Sequence, residues 1–414
     1  FITSNSWLDV DYGKDLQQFL LEYGHIKMVI DNQAKRSFSS ADVNTVITLL
    51  APPERRIVPL HTKMARFVMF KVPFEQVITH DVFTSIEAAK DRYSNPAYRV
   101  SPLDQETLFK TGCDIPEDDE SRVVPPSGKS HGPLIKVARY IGNKWGGKYL
   151  RAPDIYWTIL EKGKGKLVRL GDITEVRRGF TTGANEFFYL TNEKIQEWGI
   201  EAEFLKPVIK SPRECKRILV DPKDLKFKLF MCQKDKRELK GTAALEYIKD
   251  GEKRGYHKRP SCAGRFRWWD VGNHVLPTHI WQKSVNDRHI QSVVLFNSFV
   301  DQRLYEMCFT RKKYSLAVSL NSVLLVLVKE MFGRVNLGEG ALDTAVYEAN
   351  AINILNPNLL DEGTCKQTIE KIGKLSIEPI EKQLIKPEQN ELDKIVFEAL
   401  NLTKDERDAL CAAA

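Results

Sequence analysis

Residues 253–269 (KRGYHKRPSCAGRFRWW) form the densest mixture of cationic and aromatic side chains in the chain. Cationic side chains can contact phosphates or the guanine O6/N7 edge, and aromatic rings can stack on bases. The candidate cations are Arg254, Lys258, Arg259, Arg265 and Arg267, and the candidate aromatic residues are Tyr256, Phe266, Trp268 and Trp269. For the two tryptophans, the alternative is an ordinary place in the hydrophobic core.

Two further segments combine glycine with polar and cationic residues. In residues 177–185 (RRGFTTGAN), glycines let the backbone approach a ligand closely, while Thr and Asn supply groups for base edges or phosphates. A similar loop, GRVNLGEG, occupies residues 333–340. The candidate binding residues are Arg177, Arg178, Thr181, Thr182 and Asn185 in the first segment, and Arg334 and Asn336 in the second. Because Gly and Asn also mark ordinary turns, each segment could instead be only a turn.

The net charge of +7 is unevenly distributed. Residues 121–290 contain 35 Lys and Arg against 19 Asp and Glu, a net charge of +16, whereas the rest of the chain carries −9. A central block this basic is typical of a module that binds a polyanion. The alternative is a solvated basic face without a ligand.

Evidence for a metal site or a nucleophilic enzyme is weak. His257, Cys262, His274 and His279 are spaced like half of a zinc finger, but no second Cys completes the set, so we predict no metal site. The pair formed by Asp221 and Lys223 could belong to a metal-dependent nuclease. The sequence contains neither a phosphate-binding P-loop nor a G-x-G-x-x-G motif.

Composition bounds the class of protein. With 414 residues, 42% hydrophobic and 28% charged, we expect two to three domains, and no apolar run approaches the ~20 residues of a membrane helix. The short apolar runs predict a soluble chain, and the seven cysteines, none in a C-x-x-C pair, fit the reducing cytoplasm. The chain opens at Phe1 and stops soon after the capping box of Thr403 and Glu406, so we expect a fragment of a longer protein.

Hydrophobic periodicity places these segments on a mixed α/β framework. It predicts strands at 1–8, 25–30, 43–50 and 66–72, and a helix at 13–23 whose apolar face carries Leu16, Phe19, Leu20 and Tyr23. A spacer rich in acid, Pro, Ser and Gly follows at 114–132, and a single buried helix is expected at 316–331. The tail from residue 378 onward is predicted to be helical.

These segments resemble the gamma-class N6-adenine DNA methyltransferases of type IIG restriction-modification proteins. Residues 1–50 resemble the last third of the catalytic domain: 1–8 resemble the fifth strand, and SFSSADVNTVI at 37–47 resembles the motif that leads into a final antiparallel hairpin. The resemblance implies that Phe38 stacks on an adenine flipped out of the duplex. Residues 167–356 resemble a TaqI-like target-recognition domain, and the stretches that carry this resemblance are 170–190, 265–271 and 319–343 with Asn356 and Pro357.

The resemblance implies four parts and a function for the whole enzyme. They are the C-terminal part of a Rossmann-like methyltransferase sheet (1–100), a spacer (101–166), a mixed α/β target-recognition domain (167–357) and a helical tail (358–414). The implied partners are double-stranded DNA and the N-terminal remainder of the catalytic domain, and the resemblance leaves a fused nuclease open. S-adenosylmethionine is expected in the parent but no cofactor in this fragment, because the family's donor loop and Asn-Pro-Pro-aromatic motif precede it. The alternatives are a DNA-binding specificity subunit without catalysis and a metal-dependent endonuclease.

Overall fold

The fold is taken from a computed structural model that describes residues 1–32, 44–52, 60–114, 139–337 and 341–414. The chain forms two compact units, one of residues 1–154 with 330–342 and the other of residues 155–329 with 343–414. Both mix helices and strands, which confirms the predicted α/β class. The finer division at residues 100, 166 and 357 stays a prediction.

The strands and helices alternate along most of the chain. The strands are β1 (Ile2–Ser4), β2 (His25–Asn32), β3 (Thr45–Ala51), β4 (Met64–Phe70), β5 (Tyr93–Ser94), β6 (Tyr98–Asp104), β7 (Cys113–Asp114), β8 (Arg139–Tyr140), β9 (Leu167–Arg169), β10 (Arg177–Arg178), β11 (Tyr189–Leu190), β12 (Leu205–Ile209), β13 (Lys228–Phe230), β14 (His279–Trp281), β15 (Ser284–Val285), β16 (Gln291–Val293), β17 (Phe299–Val300), β18 (Tyr305–Met307), β19 (Arg334–Leu337), β20 (Ala341–Asp343) and β21 (Asn353–Leu355). The helices are α1 (Gly13–Tyr23), α2 (His80–Ala88), α3 (Gln105–Thr111), α4 (Asp154–Lys162), α5 (Leu170–Ile173), α6 (Asn185–Phe188), α7 (Asn192–Trp198), α8 (Ala243–Lys253), α9 (Pro260–Ala263), α10 (Lys313–Asn321), α11 (Val323–Phe332), α12 (Val346–Ala351), α13 (Glu362–Ile372), α14 (Ile380–Gln383), α15 (Pro387–Leu400) and α16 (Lys404–Ala413).

The first unit is built on a six-stranded sheet of order β1-β3-β2-β4-β6-β5. Strand β3 lies between β1 and β2 and is antiparallel to both, and β2 is parallel to β4. The strands predicted at 25–30, 43–50 and 66–72 are therefore present as β2, β3 and β4, and a first strand is present as β1. The first strand is shorter than predicted, because the chain turns into a 3-10 helix at Asn5–Leu8.

Helix α1 has the predicted bounds but buries a different face. Leu16, Phe19 and Tyr23 are exposed, so the predicted apolar face is wrong except at Leu20, which is buried. The helix instead buries Gln17, whose side-chain amide donates to the carbonyls of residues 7, 8 and 143 at 3.1–3.2 Å. Backbone acceptors from other segments thus satisfy a polar side chain in the interior.

Two four-stranded sheets form the centre of the second unit. One has the order β10-β18-β14-β16 and is antiparallel throughout, whereas the other has the order β11-β13-β12-β17 and ends in the parallel pair β12 and β17. A parallel bridge between Phe180 and Asp301 lies just after β10 and just after β17. The loops that follow these two strands therefore start side by side.

The helix predicted over 316–331 is two helices. Ser322 between α10 and α11 has extended backbone angles (φ −80°, ψ 156°), and the two helix axes differ by 64°. The carboxylate of Asp393 on α15 accepts a hydrogen bond of 2.7 Å from the backbone N–H of Val323 and so caps α11. Among the described residues, no single helix is long and apolar enough to cross a membrane, although this bent pair passes by length and composition.

Candidate nucleic-acid interface

The two tryptophans of the basic segment belong to a core of aromatic rings. Trp268 and Trp269 are each 7% exposed, and the Trp268 ring lies 4.6 Å from that of Phe187. On its other side, Phe187 stacks against Tyr247 at 4.6 Å. The Trp268 Nε1 donates to Glu252 at 3.0 Å, which satisfies its polar atom. Neither tryptophan is placed to stack on a base, so the alternative assignment to the core is correct.

Within the second unit, the loop of residues 177–185 contacts the loop that contains Arg265, although the sequence predicted the two as separate segments. The Arg265 guanidinium donates to the carbonyl oxygen of Thr181 at 3.0 Å, across 84 residues of sequence. Gly183 has a φ of +78°, and a Cβ built there would lie 2.6 Å from the Cβ of Ser261. Only glycine combines that backbone conformation with so close an approach, so Gly183 allows residues 177–185 to pack against residues 258–267.

A third loop, at residues 301–303, completes this surface. The Thr181 hydroxyl donates to the side-chain oxygen of Gln302 at 3.0 Å, and the backbone N–H of Gln302 donates to the carbonyl of Phe180 at 3.1 Å. The neighbouring Arg303 is exposed. We call residues 177–185, 258–267 and 301–303 the three-loop surface.

Gln302 and Arg303 were missed by the sequence analysis, although the sequence held a signal for them. The Asp-Gln-Arg run lies between the β-branched and aromatic segments that form β17 and β18, which is the pattern of a strand-to-strand turn with a basic tip. The carboxylate of Asp301 fixes that turn by accepting from the backbone N–H of Arg303 at 3.0 Å and from the Tyr189 hydroxyl at 2.5 Å.

Several predicted cations neutralise carboxylates of the protein itself. Arg177 donates to Glu306 at 2.9 Å, and Arg259 donates to Glu186 at 2.8 Å. Glu306 is 6% exposed, and its burial raises the pKa of its carboxyl group, whereas Arg177 opposes that rise. These arginines orient the loops, and each already has a carboxylate partner.

Arg267 and Arg265 fix the second loop from both sides of Phe266. Arg267 donates to Asp235 at 3.0 Å and to Asp270 at 3.2 Å, and these two hydrogen bonds raise the pKa of its guanidinium. Besides its bond to Thr181, Arg265 donates to the carbonyl of Trp268 at 3.4 Å. Both guanidinium groups therefore donate to acceptors of the protein itself and hold the loop in place.

Three cations of the three-loop surface face outward. Arg178, Lys258 and Arg303 are exposed, and their side chains make no hydrogen bond or ion pair within the part of the chain that the structure describes. An exposed cation without a carboxylate partner can neutralise a phosphate at little cost, because no internal ion pair has to be broken first. They are the cations of this surface best placed to contact a nucleic-acid backbone.

Other predicted binding residues have local roles or lie elsewhere. Thr182 is 1% exposed, and its hydroxyl accepts from the backbone N–H of Ala184 at 3.2 Å and donates to the side-chain oxygen of Asn185. Arg334 and Asn336 belong to the first unit and lie on β19. The side chain of Asn336 and the whole of Phe38 lie outside the described residues, so their roles stay predictions.

The residues considered for zinc make other contacts. His279 is fully buried, its Nε2 lies 2.9 Å from the carbonyl of Lys313, and burial lowers its pKa to about 4. The Cys262 thiol contacts the carbonyl of Thr182 at 3.8 Å, and His274 Nε2 lies 2.9 Å from the carbonyl of Val271. Within the described ranges, no three His, Cys, Asp or Glu side chains are grouped to hold a metal ion.

The carboxylate considered for a nuclease also has a structural role. Asp221 is the N-cap of a 3-10 helix at Pro222–Asp224, where it accepts from the backbone N–H of Lys223 at 2.9 Å. It also pairs with Arg217 at 2.8 Å. The backbone bond, followed by the bond from Arg217, lowers the pKa of the Asp221 carboxyl group. The Asp221 and Lys223 pair is therefore explained by local capping.

A known protein family matches the part of the chain that carries the three-loop surface. Residues 142–386 match the family described as type II methyltransferase M.Eco57I, C-terminal domain. A stretch of 145 residues is 26% identical to the type II methyltransferase M.AccI of Acinetobacter calcoaceticus and covers 32% of this chain and 26% of that protein.

Two solved structures share the fold over the full length of the chain. The type IIG restriction endonuclease BpuSI matches with a TM-score of 0.50 at 12% identity, and the type IIL restriction-modification enzyme MmeI, solved in complex with DNA, matches with a TM-score of 0.50 at 11% identity. The chain spans 45% and 48% of those two proteins, less than half of either. Since the family match covers more than half of the sequence, this chain belongs to the family of the M.Eco57I-type methyltransferase C-terminal domain.

Proposed function

We propose that this chain recognises a specific sequence in double-stranded DNA, as the recognition portion of a site-specific N6-adenine DNA methyltransferase of a restriction-modification system. The observation that carries the proposal is the three-loop surface. There, hydrogen bonds within the protein fix two loops distant in sequence, and three unpaired cations face outward. The net charge of +16 over residues 121–290 and the family membership support it.

The surface offers separate groups for the backbone and for the bases. Arg178, Lys258 and Arg303 would contact phosphates, which position the duplex without reading its sequence. The side-chain oxygen of Gln302 accepts from Thr181, so its amide N–H groups remain as donors for a base edge in the major groove. Thr181, which is exposed, would help to orient that amide.

The donor S-adenosylmethionine is assigned to the whole enzyme. In Rossmann-like sheets, a nucleotide-type ligand lies beyond the carboxyl ends of parallel strands, next to a Gly-rich turn. Strand β4, which is parallel to β2, runs on into Lys71, Val72 and Pro73 without a Gly-rich turn, and the residues that follow β2 lie outside the described ranges. The end of β4 alone does not form a donor site, and we derive no catalytic step from it.

Three further assignments rest on the resemblance alone. In the whole enzyme, Phe38 would stack on the flipped adenine, and the N-terminal remainder of the catalytic domain would supply the donor site and the catalytic motif. A fused nuclease in the whole protein is a proposal of the same kind. The cytoplasm is the proposed location, because chromosomal DNA is accessible there and all seven cysteines are free thiols.

Binding of a labelled 24-base-pair duplex of mixed sequence, measured at 50 mM and 200 mM salt, tests the proposal. With the three proposed phosphate contacts, and a slope of about −0.9 in log affinity per contact, the affinity should fall at least about 40-fold between these salt concentrations. Repeated selection from a randomised duplex pool should then enrich one short sequence. Affinity that does not respond to salt would remove DNA binding, and an unenriched pool would remove sequence recognition.

The rival functions give different results in the same preparations. Tight binding of S-adenosylmethionine by the 414-residue chain would contradict the assignment of the donor site to the whole enzyme. Cleavage of DNA with divalent ions, abolished by Asp221→Ala, would support the endonuclease instead. If the whole protein selects one sequence from the duplex pool but does not methylate it, the specificity subunit without catalysis is supported.

A further inference from the structure

Phe266 is the most exposed large hydrophobic residue of the described chain. Its side chain is 95% exposed, although the two residues that follow its neighbour Arg267 are buried tryptophans. A phenylalanine left in water forgoes the free energy that burial of its ring would release. Single exposed apolar residues are common on protein surfaces, so exposure alone assigns no role to this side chain.

The two arginines beside Phe266 are held in place. Arg265 donates to the carbonyls of Thr181 and Trp268, and Arg267 donates to Asp235 and Asp270. The bonds to Thr181 and Asp235 connect both flanks of Phe266 to other parts of the second unit, and the bonds to Trp268 and Asp270 fix the segment locally. The segment therefore presents the phenylalanine ring from a braced loop, where little conformational entropy remains to be lost on binding.

The surroundings of the ring favour a nucleobase as its partner. The Arg267 guanidinium lies 5.5 Å from the ring centroid, and the exposed Lys258 belongs to the same loop. A cationic surround attracts a polyanion, and the flat faces of bases stack on aromatic rings in any sequence. Apolar side chains that protrude from DNA-binding surfaces can also insert between base steps and kink the duplex.

We propose that Phe266 is a wedge that inserts between adjacent base pairs of the duplex bound to the three-loop surface. This inference rests on the proposed function and adds a second mode of recognition to it. Insertion separates two stacked base pairs, so duplexes that unstack easily are favoured over stiff ones. Phe266 would thereby contribute to the choice of sequence without a hydrogen bond to any base.

The test compares two duplexes and four proteins. The probes are an intact 24-base-pair duplex of mixed sequence and the same duplex with a central one-nucleotide gap, which lowers the cost of unstacking. The proteins are the unmodified chain, Phe266→Ala, Phe266→Tyr and Ile385→Ala. Ile385 is a matched control, because it is an apolar residue with 78% exposure and lies in the helical tail of the same unit.

The unmodified chain should prefer the gapped duplex, and Phe266→Ala should lose that preference. Its affinity should fall about 5- to 150-fold, as expected for one lost stacking contact of about 1–3 kcal/mol. The slope of log affinity against log salt should not change, because no charge is removed. Phe266→Tyr, which keeps the ring, and Ile385→Ala should bind like the unmodified chain.

A second readout reports on the bases directly. 2-Aminopurine next to the gap should become more fluorescent when the unmodified chain or Phe266→Tyr binds, and should not respond to Phe266→Ala. Equal salt-dependent affinity and equal fluorescence for the unmodified chain and Phe266→Ala would overturn the wedge and leave the proposed function intact. If the unmodified chain binds neither duplex, the proposed function and the wedge are both wrong.

Discussion

The three-loop surface and the helix layer, which consists of α10, α11 and α15, are both held by a long-range hydrogen bond from a side chain to the backbone, but they differ in exposure. In each, a charged side chain forms a hydrogen bond with the backbone of a segment far along the chain. Arg265 reaches Thr181 across 84 residues, and Asp393 reaches Val323 across 70. The loop surface remains open to solvent around its anchor, whereas Asp393 is 2% exposed. The first arrangement presents side chains, and the second holds two helices together.

Removing the buried cap should have the largest effect. Asp393→Ala leaves the Val323 N–H buried without its acceptor and removes a partner of Gln389, so the free energy of unfolding should fall by about 3 kcal/mol. Urea denaturation measures this change. The control is Asp361→Ala, an exposed cap of α13, which should cost about 1 kcal/mol. Equal losses for the two variants would show that burial of the cap is unimportant.

Removing the open charges should affect binding and leave folding unchanged. Arg178, Lys258 and Arg303, replaced together by alanine, should weaken duplex binding by about 100-fold at 0.1 M salt and reduce the salt slope by about three. Fluorescence anisotropy at several salt concentrations measures both. The control is Lys366→Ala on α13, whose lysine is also exposed but pairs with Glu370. A triple variant that binds normally would contradict the proposed phosphate contacts.

Gly183→Ala tests the contact between the first two loops. The added methyl group would lie 2.6 Å from the Ser261 side chain, and the alanine would have to keep a left-handed φ. We therefore expect a loss of about 2 kcal/mol in the free energy of unfolding and weaker DNA binding. Gly199→Ala is a matched control, because its φ of +65° is similar and nothing lies within 4 Å of the added Cβ. It should lose about 1 kcal/mol and bind DNA normally. If both variants bind DNA equally, the packing of the two loops is unimportant for binding.

The smallest expected effect is a pH dependence confined to the helix layer. Burial raises the pKa of Asp393 to about 7, so the folded chain binds this proton more tightly than the unfolded chain does. The contribution of Asp393 to stability is then fully present below its unfolded pKa of about 4 and is lost as the pH rises through 7.

Urea titrations at pH 6 and pH 7 measure this dependence. Relative to Asp393→Asn, the unmodified chain should lose up to about 1.4 kcal/mol over that interval, the limit for one proton. Duplex affinity should show no such difference between the two proteins, since Asp393 lies in the helix layer and not on the three-loop surface. An unmodified chain that gains stability relative to Asp393→Asn over the same interval would contradict the raised pKa.

Local sequence patterns predicted much of the framework. The bounds of α1 and the capping box of Thr403 and Glu406 follow from neighbouring residues, and both are confirmed. The buried face of α1 was predicted wrongly, because Gln17 is satisfied by carbonyls of segments outside the helix. The break at Ser322 was missed for the same reason, since the side chain that caps the second helix lies 70 residues away.

The sequence predicted the segments of the candidate site but not the contacts between them. Composition selected residues 177–185 and 253–269, and the structure joins them through Arg265, while Arg177 and Arg259 face protein carboxylates. Whether an arginine pairs with a carboxylate depends on the folded structure. The sequence alone therefore could not distinguish the paired Arg177 and Arg259 from the unpaired Arg178 and Lys258. Gln302 and Arg303 were missed because the turn that carries them is only three residues long, so its strand-to-strand pattern was not recognised beside the longer basic segments.

On the three-loop surface, the residues that anchor the loops differ from those that face outward. Arg265, Thr182 and Gly183 fix the loops, whereas Arg178 and Phe266 project from them. Mutations in the outward set therefore carry little folding penalty, so selection can act on them one at a time. Under the proposed function, the preferred DNA sequence would change by single substitutions in the outward set while the loops keep their anchors.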